Sequence, residues 1–360
     1  MATRGTTEQD SSEPARIAEQ LRGADRARLV GPKSGDGLAA LAIAGAALGS
    51  IDVPRHLSLA SRFDDGASES AGPDPTIRFD AAEGSAALRA YEIAAALDAD
   101  PDPALALAGA VAGGVAPHGP AFEAAREEGL EERPGVAVPT SDPATGIAYS
   151  GLFHADFSGN ESDAAAFLET IEYPTAPAER DETRLASALA LSVSEGPAPE
   201  RAVDAIEASL APWTSPTAFE TIGGYGDVLE AAAAIDPGGG LASLLGTPDY
   251  EALLDLWAER GNLLHAAVDA VQSDNSTVAT GTVEAIPPGS VARLARDFQV
   301  DAERVLIAGE ETIALASTAE DAVDVLEAAC PDEPVIGESH LGTVRTDCDL
   351  EDVRTEVERA

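Results

Sequence analysis

The chain has 360 residues, enough for two domains with a sizeable core. Hydrophobic residues make up 44% of it but aromatics only 4%, so the core rests on Ala, Leu, Val and Ile, and no apolar run is long and pure enough to span a bilayer. The net charge of −42, with Lys33 the only lysine among 22 basic residues, argues against tight, charge-driven DNA binding and reads as the hydrated surface of a protein in a very salty cytoplasm.

The N-terminal stretch MATRGTTEQDSSEPAR carries polar residues where a signal peptide would be apolar, so the expected location is cytoplasmic. Residues 1–20 read as a flexible tail. From Leu29 an α/β pattern begins. A strand over Arg28–Gly31 leads through a Gly-containing turn to an apolar helix from about Gly37 to Leu48. A second strand, His56–Ala60, runs into a polar Gly/Ser/Asp loop over Asp64–Pro75, and a third covers Thr76–Phe79. Ser85 suits the N-cap of the next helix, SAALRAYEIAAAL. Asp102 and Pro103 suit the cap and first position of another, ALALAGAVAGG, apolar on nearly every face.

The stretch from about 120 to 246 mixes helices with Gly/Pro turns; the clusters Gly223-Gly224 and Gly238–Gly240 read as turns or helix stops. A long amphipathic helix is predicted over Asp249–Gln272, with Tyr250, Leu253, Leu254, Trp257, Leu264 and Val268 on one face and Gly261 its weak point. Beyond it the period changes. STVATGTVEAI alternates as a strand, SVARLARDF is helical, RVLIAGEETIALAS is a hairpin, AEDAVDVLEAAC is a helix, and IGESHLGTVR closes the pattern. The predicted organisation is a tail (1–20), a parallel-sheet α/β domain (21–247), a connecting helix (248–275), a smaller α/β domain (276–346) and an acidic C-terminal tail (347–360).

The turn GPKSGDG ends neither as a phosphate-binding loop nor as a dinucleotide fingerprint. Lys33 is a candidate phosphate contact or an exposed turn residue. Asp36 is either a cap of the helix that follows or a remnant metal ligand. Asp64 and Asp65 lie in the polar loop. The five histidines are scattered; His154 and Asp156 would share one face of a strand, and His265 falls within the long helix. Cys330 and Cys348 are too few for a disulfide scaffold and too isolated for zinc.

The order of strand, turn with Asp36-Gly37-Leu38, and helix resembles motif I of the DHH phosphoesterases, in their RecJ-like branch. Ser85–Gly114 is similar to the helix pair that follows the family's DHH motif. Val138–Gly159 and Gly223–Gly246 resemble segments of archaeal RecJ-like proteins. The last 70 or so residues resemble the smaller DHHA1-type domain, with IGESHLGTVR where that family carries a Gly-rich loop containing His. The resemblance implies a parallel-sheet DHH-like domain joined by a long helix to a DHHA1-like domain.

It also marks what is missing. Active members carry His-x-Asp-x-Asp-Gly in motif I, and those places fall on Pro32, Ser34 and Asp36. The string DHH is absent; Asp80-Ala81-Ala82 stands nearest its place. In the C-terminal loop Gly337 and His340 match and are candidate phosphate contacts, whereas the small residue and Gly further on fall on Thr343 and Arg345. The family's chemistry uses two Mn²⁺ or Mg²⁺ ions, which need an oxygen-rich cage. The expectation is therefore a catalytically inactive relative, with no metal or other cofactor, serving as an interaction component in DNA replication or repair beside GINS- and MCM-type partners. Single-stranded DNA would be a weak partner at most. The alternative is a metal-dependent single-strand exonuclease or phosphoesterase in which Asp36, Asp64, Asp65 and Asp80 converge as non-standard ligands.

Overall fold

The computed structural model describes residues 13–61, 74–79, 84–174, 176, 179–195, 198–214, 217–273, 277–318, 320–345 and 350–359. The first described element is α1 (Glu13–Arg22), in which Ile17, Ala18 and Leu21 recur on one face and are buried. From Glu13 onward the expected flexible tail is thus a docked amphipathic helix, tied by Glu13 to Arg89 at 2.5 Å.

Strand β1 (Ala27–Pro32), helix α2 (Gly35–Ser50), β2 (Arg55–Ala60) and β3 (Thr76–Arg78) follow. The three strands form a parallel sheet in the order β2-β1-β3. The chain leaves the central strand toward β2 and returns on its other side, so the carboxyl end of β1 is a topological switch point, where open α/β sheets place their ligands. Helix α2 is apolar on nearly every side because most of it is covered: β1, α3 (Ala86–Ala96), α4 (Pro103–Ala112) and α10 (Ile222–Ile235) all pack on it. Ser85 and Asp102 cap α3 and α4 as expected.

Between α4 and α10 run α5 (Gly119–Glu127), β4 (Glu131–Glu132), α6 (Pro143–Tyr149), α7 (Glu161–Thr170), α8 (Glu182–Glu195), α9 (Ala202–Glu207) and β5 (Trp213–Thr214). Helix α11 (Pro237–Leu244) follows α10. The glycine clusters at 223–224 and 238–240 lie in the first turns of α10 and α11 and do not break them. Thr221 and Asp236 accept hydrogen bonds from the backbone N–H of Gly224 and Gly239, and these caps outweigh the glycine propensity cost.

Helix α12 (Tyr250–Asp269) joins two cores. Its Leu253 and Trp257 belong to the core built on α2, while Leu264 and Val268 belong to a second core that reaches the distal sheet. Gly261 lies between these pairs, where a Cβ would come within 2.6 Å of the Tyr149 carbonyl oxygen.

The distal sheet has the order β6-β7-β8-β10-β9, from β6 (Val278–Thr282), β7 (Arg304–Ala308), β8 (Thr312–Ser317), β9 (Val335–Glu338) and β10 (Leu341–Arg345). Only β6 and β7 are parallel; β7 and β8 form the expected antiparallel pair. Alternation sends Val305, Ile307, Ala314 and Ala316 to one face, under α13 (Pro288–Leu294) and the π-turn Ala295–Gln299. Leu306, Ile313 and Leu315 face the other way, with residues of α14 (Ala322–Ala329) and α15 (Leu350–Val357). The acidic C-terminal stretch is therefore helical over Leu350–Val357, with Val353 and Val357 buried. Among the described residues no helix is long and apolar enough to cross a membrane.

Candidate functional site

The carboxyl end of β1 carries the turn Pro32–Gly35. Ser34 caps α2, its hydroxyl accepting from Gly37 N–H at 3.3 Å. Lys33 is exposed. Gly35 N–H, at the start of α2, donates to Glu230 of α10 at 2.7 Å, so a carboxylate of the protein itself occupies the place where the helix terminus favours an anion.

Asp36 is 2% exposed and serves a different helix from the expected one. Ser34 already caps α2, and the Asp36 side chain turns to the N-terminus of α3. Its Oδ1 accepts from Ser85 Oγ at 2.7 Å and Ala87 N at 2.8 Å, and its Oδ2 from Ala86 N at 2.8 Å. Three donors and the positive end of α3 offset the desolvation of a buried carboxylate. Gly113 of the turn after α4 closes the pocket: a Cβ there would lie 3.2 Å from Oδ2. A divalent ion would have to compete with these donors for the Asp36 carboxylate.

The remaining donors do not build a cage around Asp36. Pro32 has no ligating side-chain atom, and Ser34 is engaged by α2. Asp64, Asp65 and Asp80 lie outside the described residues. Among the described residues no group of three or more His, Cys, Asp or Glu side chains is placed to hold a metal. The described donors thus do not fit a pair of divalent ions, which need an oxygen-rich cage.

Gly337 and His340 sit in the β9–β10 hairpin. Gly337 has φ of 153° and lies opposite Gly342; a Cβ on it would come 2.2 Å from the Leu341 carbonyl oxygen, so the hairpin itself requires glycine. His340 is exposed at the tip, and its carbonyl accepts from Arg296 and Ser317 N–H.

Two buried polar clusters lie where α12 passes between the cores, and local sequence patterns reveal neither. In the first, Asp227 of α10 accepts from Gly151 N and Trp257 Nε1, both at 2.7 Å, and pairs with Arg260 at 3.1 Å. Arg260 reaches on to Ser290 of α13, and Arg293 donates to the Gly151 carbonyl. In the second, His265 Nε2 lies 3.0 Å from the Ser150 carbonyl and therefore carries the proton. Its Nδ1 then accepts from His154 Nδ1, also 3.0 Å away, while His154 Nε2 faces Asp269 at 3.2 Å. Burial pushes the His265 pKa down to about 3, with His154 and Arg260 acting in the same direction. Burial also lowers the His154 pKa, against the opposing pull of Asp269 and Asp156. His154 is in a loop, not on the expected strand, and its partner is His265, 111 residues away.

A parallel sheet with its switch point at β1, a long helix and a second, mixed sheet define a two-domain α/β fold. The chain aligns with the Mg²⁺-bound RecJ of Thermus thermophilus at a TM-score of 0.50 and 18% identity, covering 96% of this chain and 51% of that one. It spans about half the length of that protein, and at this identity the likeness establishes the fold. CDC45 from Entamoeba histolytica aligns at a TM-score of 0.48 and 9% identity, over 96% of this chain and 98% of that one. No family model matches the chain. An uncharacterized protein of Haloarcula marismortui is 36% identical over 95% of this chain and 94% of its own length. The chain belongs to the same family as that haloarchaeal protein.

Proposed function

We propose that this protein is a RecJ-type fold without the phosphoesterase reaction, acting through protein contacts in DNA replication or repair. The observation that carries the reading is the state of Asp36. It is the one acidic residue left at motif I, and it is bound to Ser85, Ala86 and Ala87 as the N-terminal anchor of α3. Pro32 and Ser34 stand where the resemblance calls for His and Asp. Glu230 supports the same reading: its carboxylate at the N-terminus of α2 would repel a scissile phosphate or metal-bound hydroxide there. The replisome partners, of GINS and MCM type, come from the resemblance to inactive DHH relatives.

The test is a single-strand DNA degradation assay with Mn²⁺ or Mg²⁺ in concentrated KCl, beside affinity capture from a salty lysate. The expected result is no degradation above background and recovery of replication proteins. Processive degradation that disappears in Asp36→Asn would overturn the reading in favour of the exonuclease with ligands Asp36, Asp64, Asp65 and Asp80. Repeated recovery of the chain alone would remove the scaffold role.

A further inference from the structure

The parallel sheet ends in a strand paired on one side. Strand β2 is six residues long, and its inner edge pairs with β1 along its whole length. Its outer edge has no strand partner among the described residues. Such an edge offers a row of backbone N–H and C=O groups to an added strand, and proteins ordinarily blunt it with charge, a bulge or a covering element. Leu57 and Leu59 remain half-buried here, on the face toward α2.

The charges on this edge run against the rest of the chain. Acidic residues outnumber basic ones by 64 to 22, yet β1, β2 and β3 carry no carboxylate. Arg55 and His56 are exposed at the amino end of β2, and Arg28 stands directly beside His56 on β1. None of the three makes an ion pair among the described residues. Arg28 is half-buried, and its Nε is buried without a hydrogen-bond partner. A guanidinium in that state gains most from a charged acceptor that also excludes water.

Alternation turns Arg28, His56 and Ser58 away from α2, and Leu57 and Leu59 toward it. Adjacent strands lie about 4.8 Å apart, so a strand added to β2 sets its side chains against His56 and Ser58 on one face and Leu57 and Leu59 on the other, with Arg28 one strand further in.

We propose that the outer edge of β2 docks an extended segment of a partner protein in which acidic and apolar residues alternate, added to the sheet as a further strand. Its acidic side chains meet His56 and Arg28, its apolar ones cover Leu57 and Leu59, and its backbone pairs with β2. The site presupposes that the protein acts through protein contacts and gives the chemistry of one of them. A nucleic-acid strand offers neither a pairing backbone nor apolar side chains, and past the patch it meets the field of a chain with net charge −42. Partly buried pairs are screened by salt much less than exposed ones, so the contact suits concentrated KCl.

The test is fluorescence anisotropy of a labelled Glu-Val-Glu-Val-Glu-Val peptide with the full chain in concentrated KCl. Three controls accompany it: the block peptide Glu-Glu-Glu-Val-Val-Val, the alternating peptide N-methylated at every second residue, and hexathymidylate. Saturable binding is expected, at least roughly tenfold tighter than any control and weakened roughly tenfold by Arg28→Gln. His56→Gln, at an exposed position, should weaken it too and decides the matter if Arg28→Gln lowers the melting temperature. Arg78→Gln should leave it unchanged, because β3 lies on the far side of β1. Equal affinity for the block or N-methylated peptide, tighter binding of hexathymidylate, an equal loss in Arg78→Gln, no saturable binding, or unchanged affinity in both His56→Gln and a folded Arg28→Gln would overturn the proposal. A dimer of the free chain that the peptide dissociates would assign the edge to a second copy instead. Absence of peptide binding together with capture of replication proteins would sink this edge alone and leave the scaffold role standing.

Discussion

Asp36 separates a carboxylate kept for chemistry from one kept for architecture. Metal ligands crowd like charges, so removing one from a metal-free site generally relieves repulsion. Asp36 is surrounded by donors instead, and its removal strands the Ser85 hydroxyl and the Ala86 and Ala87 N–H groups in a buried pocket. Asp36→Ala should therefore lower stability by about 3 kcal/mol, and Asp36→Asn by less, because an amide oxygen still accepts. Chemical denaturation in concentrated KCl without divalent ions reads this directly; a variant as stable as the parent would mean that the α3 anchor is unimportant. His265 gives a second residue-scale test. It is held neutral in the fold, with a pKa of about 3 against an ordinary 6.5, so protons bind the unfolded chain first as the pH falls. Its stabilising contribution is full above about pH 6.5 and declines below it. The stability gap between the parent and His265→Gln should therefore shrink by roughly 2 kcal/mol between about pH 7.5 and about pH 5. A gap that stays constant would show that His265 protonates without penalty in the fold.

The elements are legible wherever a local period or cap specifies them. The run of α2, the Ser85 and Asp102 caps, the apolar spacing of α12 and the β7–β8 pair can all be read from neighbouring residues. Three things cannot be read that way. The first is α1, whose short apolar stripe follows a polar N-terminal stretch. The second is the destination of Asp36, because a residue in the first turn of α2 looks like a cap for α2 until α3 is placed beside it. The third is the clustering of Glu230 with Gly35, Asp227 with Arg260, and His154 with His265, which depends on helix packing across 195, 33 and 111 residues. Gly261 sends a signal opposite to its role. It looks like a flaw in a long helix, yet it is the point where α12 crosses the Tyr149 backbone at the boundary between two cores. Gly261→Ala would raise helix propensity by about 1 kcal/mol in an exposed helix, but here the added carbon would sit 2.6 Å from a carbonyl oxygen. The overpacking term should dominate, with a net loss of about 1–3 kcal/mol and a lower melting temperature. A stabilised variant would show that the two backbones separate easily.

Across the whole molecule, the 22 basic residues are set against 64 acidic ones, and the position of the arginines matters more than their number. Arg22, Arg133, Arg201 and Arg345 pair with Asp98, Glu131, Asp301 and Glu311, and Arg260 and Arg296 are paired in half-buried or buried places. Arg304, Arg354 and Arg359 likewise meet Glu320, Glu351 and Glu358, and Glu356. Some of these pairs join distant elements, as Arg260 and Asp227 do, and others are local and exposed, but each sets a carboxylate beside a guanidinium group and weakens the cationic field that a phosphate backbone could follow. Proteins that neutralise phosphates lose affinity as salt rises, through release of counterions. Here the field of the chain opposes a polyanion at low salt, and at ~1 M salt, with a Debye length of about 3 Å, both repulsion and attraction are screened. Fluorescence anisotropy with a labelled single-stranded oligonucleotide should therefore show no binding at low KCl, and any binding at high KCl should not weaken as salt is raised. A steep fall of affinity with salt would reveal a cationic track on this surface and overturn that expectation.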